Sequence, residues 1–338
     1  MHSLKAYEKT IGMNLSKERR AAFNKFNEYV YHKKIILDKV KVCFCGCKKF
    51  EDLSKFDRFG LPFGTKICLE CGLINQTVRI NPKSMELFYE EIYWPLVLGS
   101  TKKTNFLTKG KKDESQSYIL SFIDQTKSDI IIFEVGCGSG ERISKLSKEL
   151  KQKGKSVTSY GADYSDDVLL EAKGKGINTI KGGFEELAKY GKADILILSH
   201  LFEHLPDLHA ALRDISLLIH DDSLIYIEVP GVKDLYQKKE YLYNYQLYNV
   251  LAHTYNFSLT TLTNVMGVGG FTCVAGDEFV RSVFKRGSIN KLQENDYVDT
   301  MKFLKLAEKN NQKILKQREK FGKNYFKNIL KQILKLDV

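Results

Sequence analysis

No run among the 338 residues is apolar for long enough to span a bilayer. Residues 1–20 are polar and basic where a secretory segment would carry its hydrophobic centre. Both absences predict a soluble, cytoplasmic protein. No internal repeat is visible, which excludes solenoid and propeller arrays. Acidic residues are the scarcer sign, 41 against 53 Lys and Arg, for a formal net charge of +12. The excess is uneven: residues 281–338 hold 15 Lys/Arg against 6 Asp/Glu, and residues 1–67 hold 15 against 7. The middle is therefore slightly acidic. A nucleic-acid enzyme more often carries its basic face beside the active site, so nucleic acid is disfavoured as a partner.

Cysteine is present but not scattered. Five of the seven, at 43, 45, 47, 68 and 71, crowd into one short segment, which in a reducing compartment favours metal over disulfide. Around that segment the chain divides into five regions. Residues 1–40 read as a charged helical segment with Phe23, Phe26, Tyr29 and Val30 on one face, and 41–80 as a cysteine module with turns at Gly60, Pro62 and Gly64. Residues 81–128 form a connector with an aromatic cluster at Phe88, Tyr89, Tyr93 and Trp94 and a polar stretch near 99–117. From 129 to 286, strand-like runs (130–135, 157–162, 195–199, 224–229, 271–274, 279–284) alternate with helical spacing. That alternation predicts an α/β fold with a parallel sheet covered by helices on both faces. Residues 287–338 carry a lysine-rich helical pattern.

The decisive stretch is Ile130 to Gly140, an apolar strand ending on Glu134 and breaking into Gly136-Cys137-Gly138-Ser139-Gly140 before a helix with Ile143, Leu146 and Leu150 on one face. Glycine lets the backbone turn sharply and lie against a ligand. A dinucleotide fingerprint would place its third glycine where this chain has Glu141. The next strand ends on Asp163, able to accept from two ribose hydroxyls or to cap the helix that follows. Then come Gly182-Gly183-Phe184-Glu185 after the third strand, and Ala193 to Ser199 with His200-Leu201-Phe202-Glu203-His204 after the fourth. These four elements in this order resemble the class I S-adenosylmethionine-dependent methyltransferases, over residues 129–280. The resemblance implies a Rossmann-like sheet and S-adenosylmethionine as cofactor. It places Glu134 near the sulfonium, the Gly136, Gly138 and Gly140 backbone against the cofactor, Asp163 on the ribose, Phe184 and Glu185 at the adenine, and Ser199 at the end of the fourth strand. No Asn-Pro-Pro-Tyr-like base-flipping motif follows that strand.

Cys43-Phe44-Cys45-Gly46 and Cys68-Leu69-Glu70-Cys71-Gly72 are two knuckles, whose glycines let backbone amides turn toward thiolate sulfurs. Four thiolates at this spacing suit a closed tetrahedral Zn²⁺ site with a structural role. The favoured set is Cys43, Cys45, Cys68 and Cys71, with Cys47 as the substitute for Cys43; Cys137 and Cys273 read as small apolar fillers. With Phe56-Asp57-Arg58-Phe59-Gly60, Ile67 to Ile74 and Phe88-Tyr89-Glu90 added, the chain resembles sugar C-methyltransferases and the related methyltransferases of bacterial surface-polysaccharide pathways. That resemblance implies a zinc module over the active site and a sugar acceptor, nucleotide-linked. It leaves Tyr89 and Tyr93 as candidates for a catalytic tyrosine.

After the fifth strand, residues 236–257 carry Tyr236, Tyr241, Tyr243, Tyr245, Tyr248 and Tyr255 along with His253. Tyrosine offers apolar faces to sugar rings and hydroxyls to their oxygens, although half-buried packing of most of them is the plainer reading. Methyl transfer needs a positioned acceptor and a group to take its proton. His204 and His253 are the candidate bases, with Glu203 as orienting or alternative base. Transfer to oxygen and to carbon both remain open. The C-terminal pattern suits packing on its own domain or on the second copy of a homodimer, and its lysines equally suit an anionic membrane or a partner.

Overall fold

The computed structural model describes residues 15–99, 115–124, 126–289 and 294–333, with side chains of the last helix described to residue 320. The N-terminal part contains α1 (Lys17–Tyr31), β1 (Leu37–Lys39), β2 (Phe50–Ser54), β3 (Thr65–Cys68), β4 (Ile74–Gln76) and β5 (Val78–Ile80), then the short α2 (Met85–Phe88) and α3 (Trp94–Leu98). Phe26 of α1 lies buried against Phe63 and Phe88, so the connector's aromatics form a small core with the first helix. The polar stretch at 100–114 and the first fourteen residues lie outside the described residues.

After α4 (Ser115–Leu120) the predicted alternation runs β6 (Asp129–Val135), α5 (Glu141–Gln152), β7 (Ser156–Asp163), α6 (Asp166–Gly174), β8 (Asn178–Lys181), α7 (Phe184–Ala188), β9 (Ala193–Ser199), α8 (Leu208–Leu218) and β10 (Ile219–Glu228). An insertion with α9 (Asp234–Gln237), α10 (Tyr245–Tyr248) and β11 (Tyr255–Asn256) precedes α11 (Leu259–Val268), β12 (Phe271–Gly276), β13 (Arg281–Arg286) and α12 (Tyr297–Ile333). The sheet order is β12-β13-β10-β9-β6-β7-β8. β6, β7, β8, β9 and β10 are parallel, and β13 pairs antiparallel with both β10 and β12. The sheet is thus mixed at one edge.

Alternation along the strands builds two apolar faces. Ile130, Ile132, Ile195 and Ile197 point to one, where Ile143, Leu146 and Leu150 of α5 cover them. Phe133, Val135, Leu196 and Leu198 point to the other, under α8 and α11. Successive helices leave β6 and β9 on opposite faces, so the crevice beyond their carboxyl ends is the topological switch point where ligands bind in open α/β sheets.

Two expectations change. The C-terminal helix does not begin near 287. It starts at Tyr297, where Asn295 accepts from the Tyr297 amide at 2.9 Å and Asp296 accepts from the Thr300 hydroxyl at 2.7 Å. Its described face packs through Met301, Leu304, Ala307 and Asn311; the side chains of Tyr325, Phe326 and the apolar positions beyond lie outside the described residues. The cysteine module is also not self-contained. Its sheet runs β11-β4-β3-β2, so the fourth strand comes from the insertion, with Tyr255 opposite Asn75. Most tyrosines of the insertion serve packing: Tyr245 and Tyr248 are buried, and Tyr236 contacts Tyr243 and Phe303 of α12. Among the described residues no helix is long and apolar enough to cross a membrane.

Candidate active site

At the switch point the glycine turn closes on itself through Gly136 N to Ala162 O (2.8 Å) and Gly140 N to Cys137 O (2.9 Å). Gly138 and Gly140 both have left-handed φ, but for different reasons. A Cβ at Gly138 would meet nothing within 4 Å, leaving its outer side open for a ligand, whereas one at Gly140 would run into Ile177 (2.3 Å) and Ala172 (2.9 Å). Asp163 is both cap and loop tie: Oδ1 accepts from Ser165 N and Oδ2 from Gly138 N, each at 3.0 Å. Each carboxylate oxygen keeps acceptor capacity toward the open side. This cradle, with its open glycine and acidic strand end, fits a nucleoside such as that of S-adenosylmethionine.

Deeper in the crevice Glu134 is buried and faces Arg142 (3.6 Å), whose other terminal nitrogen meets Glu228 at 3.1 Å. Ser199 and Tyr226 also donate to that Glu228 oxygen, at 3.3 and 3.1 Å. Glu134 therefore belongs to a charge network not foreseen from sequence. Phe184 is half-buried against the core beside α8, and Glu185 is exposed. Tyr164, directly after Asp163, is the exposed aromatic there, its hydroxyl 3.1 Å from where a Cβ on Gly183 would lie. The sequence signal for it was adjacency to the acidic strand end.

Past β9 the chain makes one helical turn over Phe202–His204. Glu203 is 1% exposed with no hydrogen bond to either carboxylate oxygen among the described residues, and that burial decides its character. His200 Nδ1 and His204 Nε2 each stand 3.6 Å from its Oε1. Burial alone would raise this carboxyl; the flanking His204 and His200 imidazoles outweigh it and lower it. His204 Nδ1 lies 3.0 Å from the Ala252 carbonyl, so that nitrogen carries the proton and Nε2 faces Glu203. The His253 ring packs edge-on to His204 at 5.0 Å, and burial, reinforced by His204, pushes it down to about 3. His200, with φ of +51°, is a half-exposed third imidazole; the loss of some solvent opposes its cation, but the nearby Glu203 carboxylate prevails and raises it.

The chamber wall is shared among regions. Burial raises the hydroxyls of Tyr89 and Tyr93, the latter to about 12, and the Glu203 charge adds to both. The buried hydroxyl of Tyr248 rises for the same reasons. Arg58 reaches in from the cysteine module and donates from Nη2 to Tyr248 O at 2.9 Å. The structure thus brings Glu203, His204, His253, Tyr89 and Tyr93 together, and adds His200 and Arg58, which sequence reasoning had given no role.

The sulfurs of Cys43, Cys45, Cys68 and Cys71 all lie within 4.8 Å of one another, with Cys43 to Cys71 at 3.6 Å and Cys45 to Cys68 at 3.5 Å. A tetrahedron of Zn–S bonds of about 2.3 Å has sulfur–sulfur edges of about 3.8 Å, so the four fit a tetrahedral metal. Cys47 is turned away, accepting instead from Lys49 N at 3.2 Å. Cys137 is a buried filler, and Cys273 is half-buried.

The strand order and the glycine turn after β6 are those of a methyltransferase-type sheet. Residues 111–275 match the profile of a family described as a methyltransferase domain. The chain thus carries a class I S-adenosylmethionine-dependent methyltransferase domain. It is similar to the C-methyltransferase NovU of Streptomyces niveus, 29% identical over 125 residues, covering 35% of this chain and 28% of that protein's length. Among solved structures it is similar to the plantazolicin methyltransferase BamL in complex with a triazolic desmethylPZN analogue and SAH (19% identity, 59% of this chain, 77% of that one, TM-score 0.39). It is also similar to an S-adenosylmethionine-dependent methyltransferase of Clostridium acetobutylicum (11% identity, 60% and 100%, TM-score 0.40).

Proposed function

We propose that this protein transfers a methyl group from S-adenosylmethionine to a sugar, nucleotide-linked, in the making of a bacterial surface polysaccharide. The observation that carries the reading is the buried Glu203 carboxylate with His200 and His204 each 3.6 Å from its Oε1 and His253 edge-on to His204 at 5.0 Å. Gly136, Gly138, Gly140, Asp163, Glu134 and Ser199 would hold the cofactor, which would supply the methyl group to the acceptor. Tyrosine faces suit a sugar ring. The acceptor proton passes to the imidazole pair, and Glu203 stabilises the cation that forms. A structural Zn²⁺ on Cys43, Cys45, Cys68 and Cys71 holds the module that closes this chamber. The resemblance of the cysteine module supports a sugar acceptor, and the likeness to NovU, a C-methyltransferase, supports methyl transfer.

His204→Ala and His253→Ala are each expected to lower turnover by roughly 10²–10⁴-fold while calorimetry shows unchanged cofactor affinity. A histidine pushed down is unprotonated above its folded value. His253, at about 3, thus contributes no rise in kcat/KM through the ordinary histidine range. Comparing nucleotide-sugar pools by mass spectrometry in cells with and without the gene tests the acceptor. A methylated sugar that vanishes with the gene supports the reading; radiolabelled methyl appearing only in RNA, DNA or protein refutes it.

A further inference from the structure

The turn after β9 buries a carboxylate that the fold does not satisfy. Glu203 is 1% exposed, and neither of its oxygens has a hydrogen bond among the described residues. A buried anion is costly unless a cation or a set of donors answers it. What surrounds this one is imidazole. His204 Nε2 and His200 Nδ1 each stand 3.6 Å from Oε1, beyond the roughly 2.7–3.2 Å of an N–H···O bond. In the neutral ring, His204 Nδ1 donates to the Ala252 carbonyl at 3.0 Å, and Nε2 turns a lone pair toward Glu203.

Two lone-pair donors facing each other at such a distance are spaced as ligands around an ion. Zinc bonds to nitrogen and oxygen of about 2.0–2.2 Å give a tetrahedron with edges of about 3.4 Å. The ligand atoms of Glu203, His204 and His253 all lie within 4.8 Å of one another. The Glu203–His204 edge, at 3.6 Å, is already close to that value. The edges to His253 have at most about 1.4 Å to close. Behind His204, the Ala252 carbonyl is the outer partner that metal-bound histidines keep on their second nitrogen, and it fixes Nε2 inward. The group is separate from Cys43, Cys45, Cys68 and Cys71. It joins the turn after β9 to the insertion that carries His253.

We propose that Glu203, His204 and His253 form a second metal site, which takes one divalent transition-metal ion such as Zn²⁺ or Co²⁺ and leaves a fourth position open. Two imidazoles and one carboxylate suit such ions, whereas Mg²⁺ and Ca²⁺ take nearly all their ligands from oxygen. The consequence for activity rests on the reading that these imidazoles receive the acceptor proton. A lone pair bound to an ion cannot take a proton, so the ion and the proton transfer exclude one another. Methyl transfer is held off while the ion is bound, and the free metal concentration sets the active fraction.

The test uses the full-length protein with its cysteine site already loaded with zinc, and Co²⁺ alone as the probe. One further equivalent is expected to bind, with visible d–d bands and no thiolate-to-cobalt charge transfer. Glu203→Gln and His253→Ala are each expected to weaken that binding by more than the roughly 10–100-fold that loss of an outer-shell partner costs. A thermal melt on each shows which is folded, and either folded variant decides the matter. No second equivalent, thiolate charge-transfer bands, or unchanged affinity in a folded variant overturns the site. Turnover is followed with labelled S-adenosylmethionine and the nucleotide-sugar fraction of cells lacking the gene. It is expected to fall in step with Co²⁺ occupancy and to return when a weak chelator removes the ion. Turnover that holds or rises with occupancy overturns the exclusion. Binding is read with no acceptor present, so label found only in RNA or protein removes the sugar reading and leaves the metal site standing.

Discussion

Gly138→Val is expected to abolish S-adenosylmethionine binding in a protein that still folds, and Gly140→Val to unfold the domain. Both residues have left-handed φ, where an L side chain costs roughly 1–2 kcal/mol. That strain is common to the pair, and their surroundings separate them. The outer side of Gly138 is open, so an isopropyl group there occupies ligand space and little else. Gly140 faces Ile177 and Ala172 at distances no atom pair tolerates, and both belong to the core on the α5 face of the sheet. Overpacking of that kind costs about 1–3 kcal/mol or more beyond the strain. Calorimetry with S-adenosylhomocysteine and a thermal melt on each variant decide the matter. Normal affinity in folded Gly138→Val would remove the cradle from the cofactor site.

Cys68→Ser with Cys71→Ser is expected to release one zinc per chain and to stop methyl transfer while leaving cofactor affinity intact. Metal binding energy in such small modules is folding energy, about 10–16 kcal/mol in zinc-finger peptides, far more than this module's short strands supply. The consequence reaches the chamber through a short path. Asn75 donates from its side chain toward Cys43 Sγ at 3.5 Å and pairs in register with Tyr255, two residues beyond His253. Gln76 next to it donates to Thr254 O at 3.1 Å and, from its side chain, to Leu251 O at 2.7 Å. Elemental analysis, a melt and parallel binding and turnover assays separate the outcomes. Equal zinc in the double variant, or activity surviving zinc loss, would refute the assignment.

The parts of this architecture that could be read from sequence are those fixed by local pattern. The strand at 129–135, the glycine turn and the helix after it announce themselves by periodicity and by residues that only one backbone path accommodates. The four cysteines announce themselves by spacing, and the structure separates Cys47 from them because its sulfur turns back onto Lys49. What stayed hidden depends on distant pairing. Arg58 has no local signature; it matters because the insertion, nearly two hundred residues on, holds its backbone and Nη2. Tyr164 has no local signature beyond following Asp163, and its exposure is set by the rim of β7. His200 acquires its place from a left-handed turn just past β9 that sequence periodicity does not announce.

The strand that completes the cysteine sheet lies about 180 positions after its partner. On the ribosome, at about 5–20 residues per second, β4 therefore waits on the order of 10–40 s with one edge unpaired. An open edge is a template for wrong pairing, and long-range closure is slow. Early capture of a metal by the four cysteines would hold that edge in shape until residue 256 arrives, so zinc supply during synthesis, more than afterwards, would set the yield of active chains.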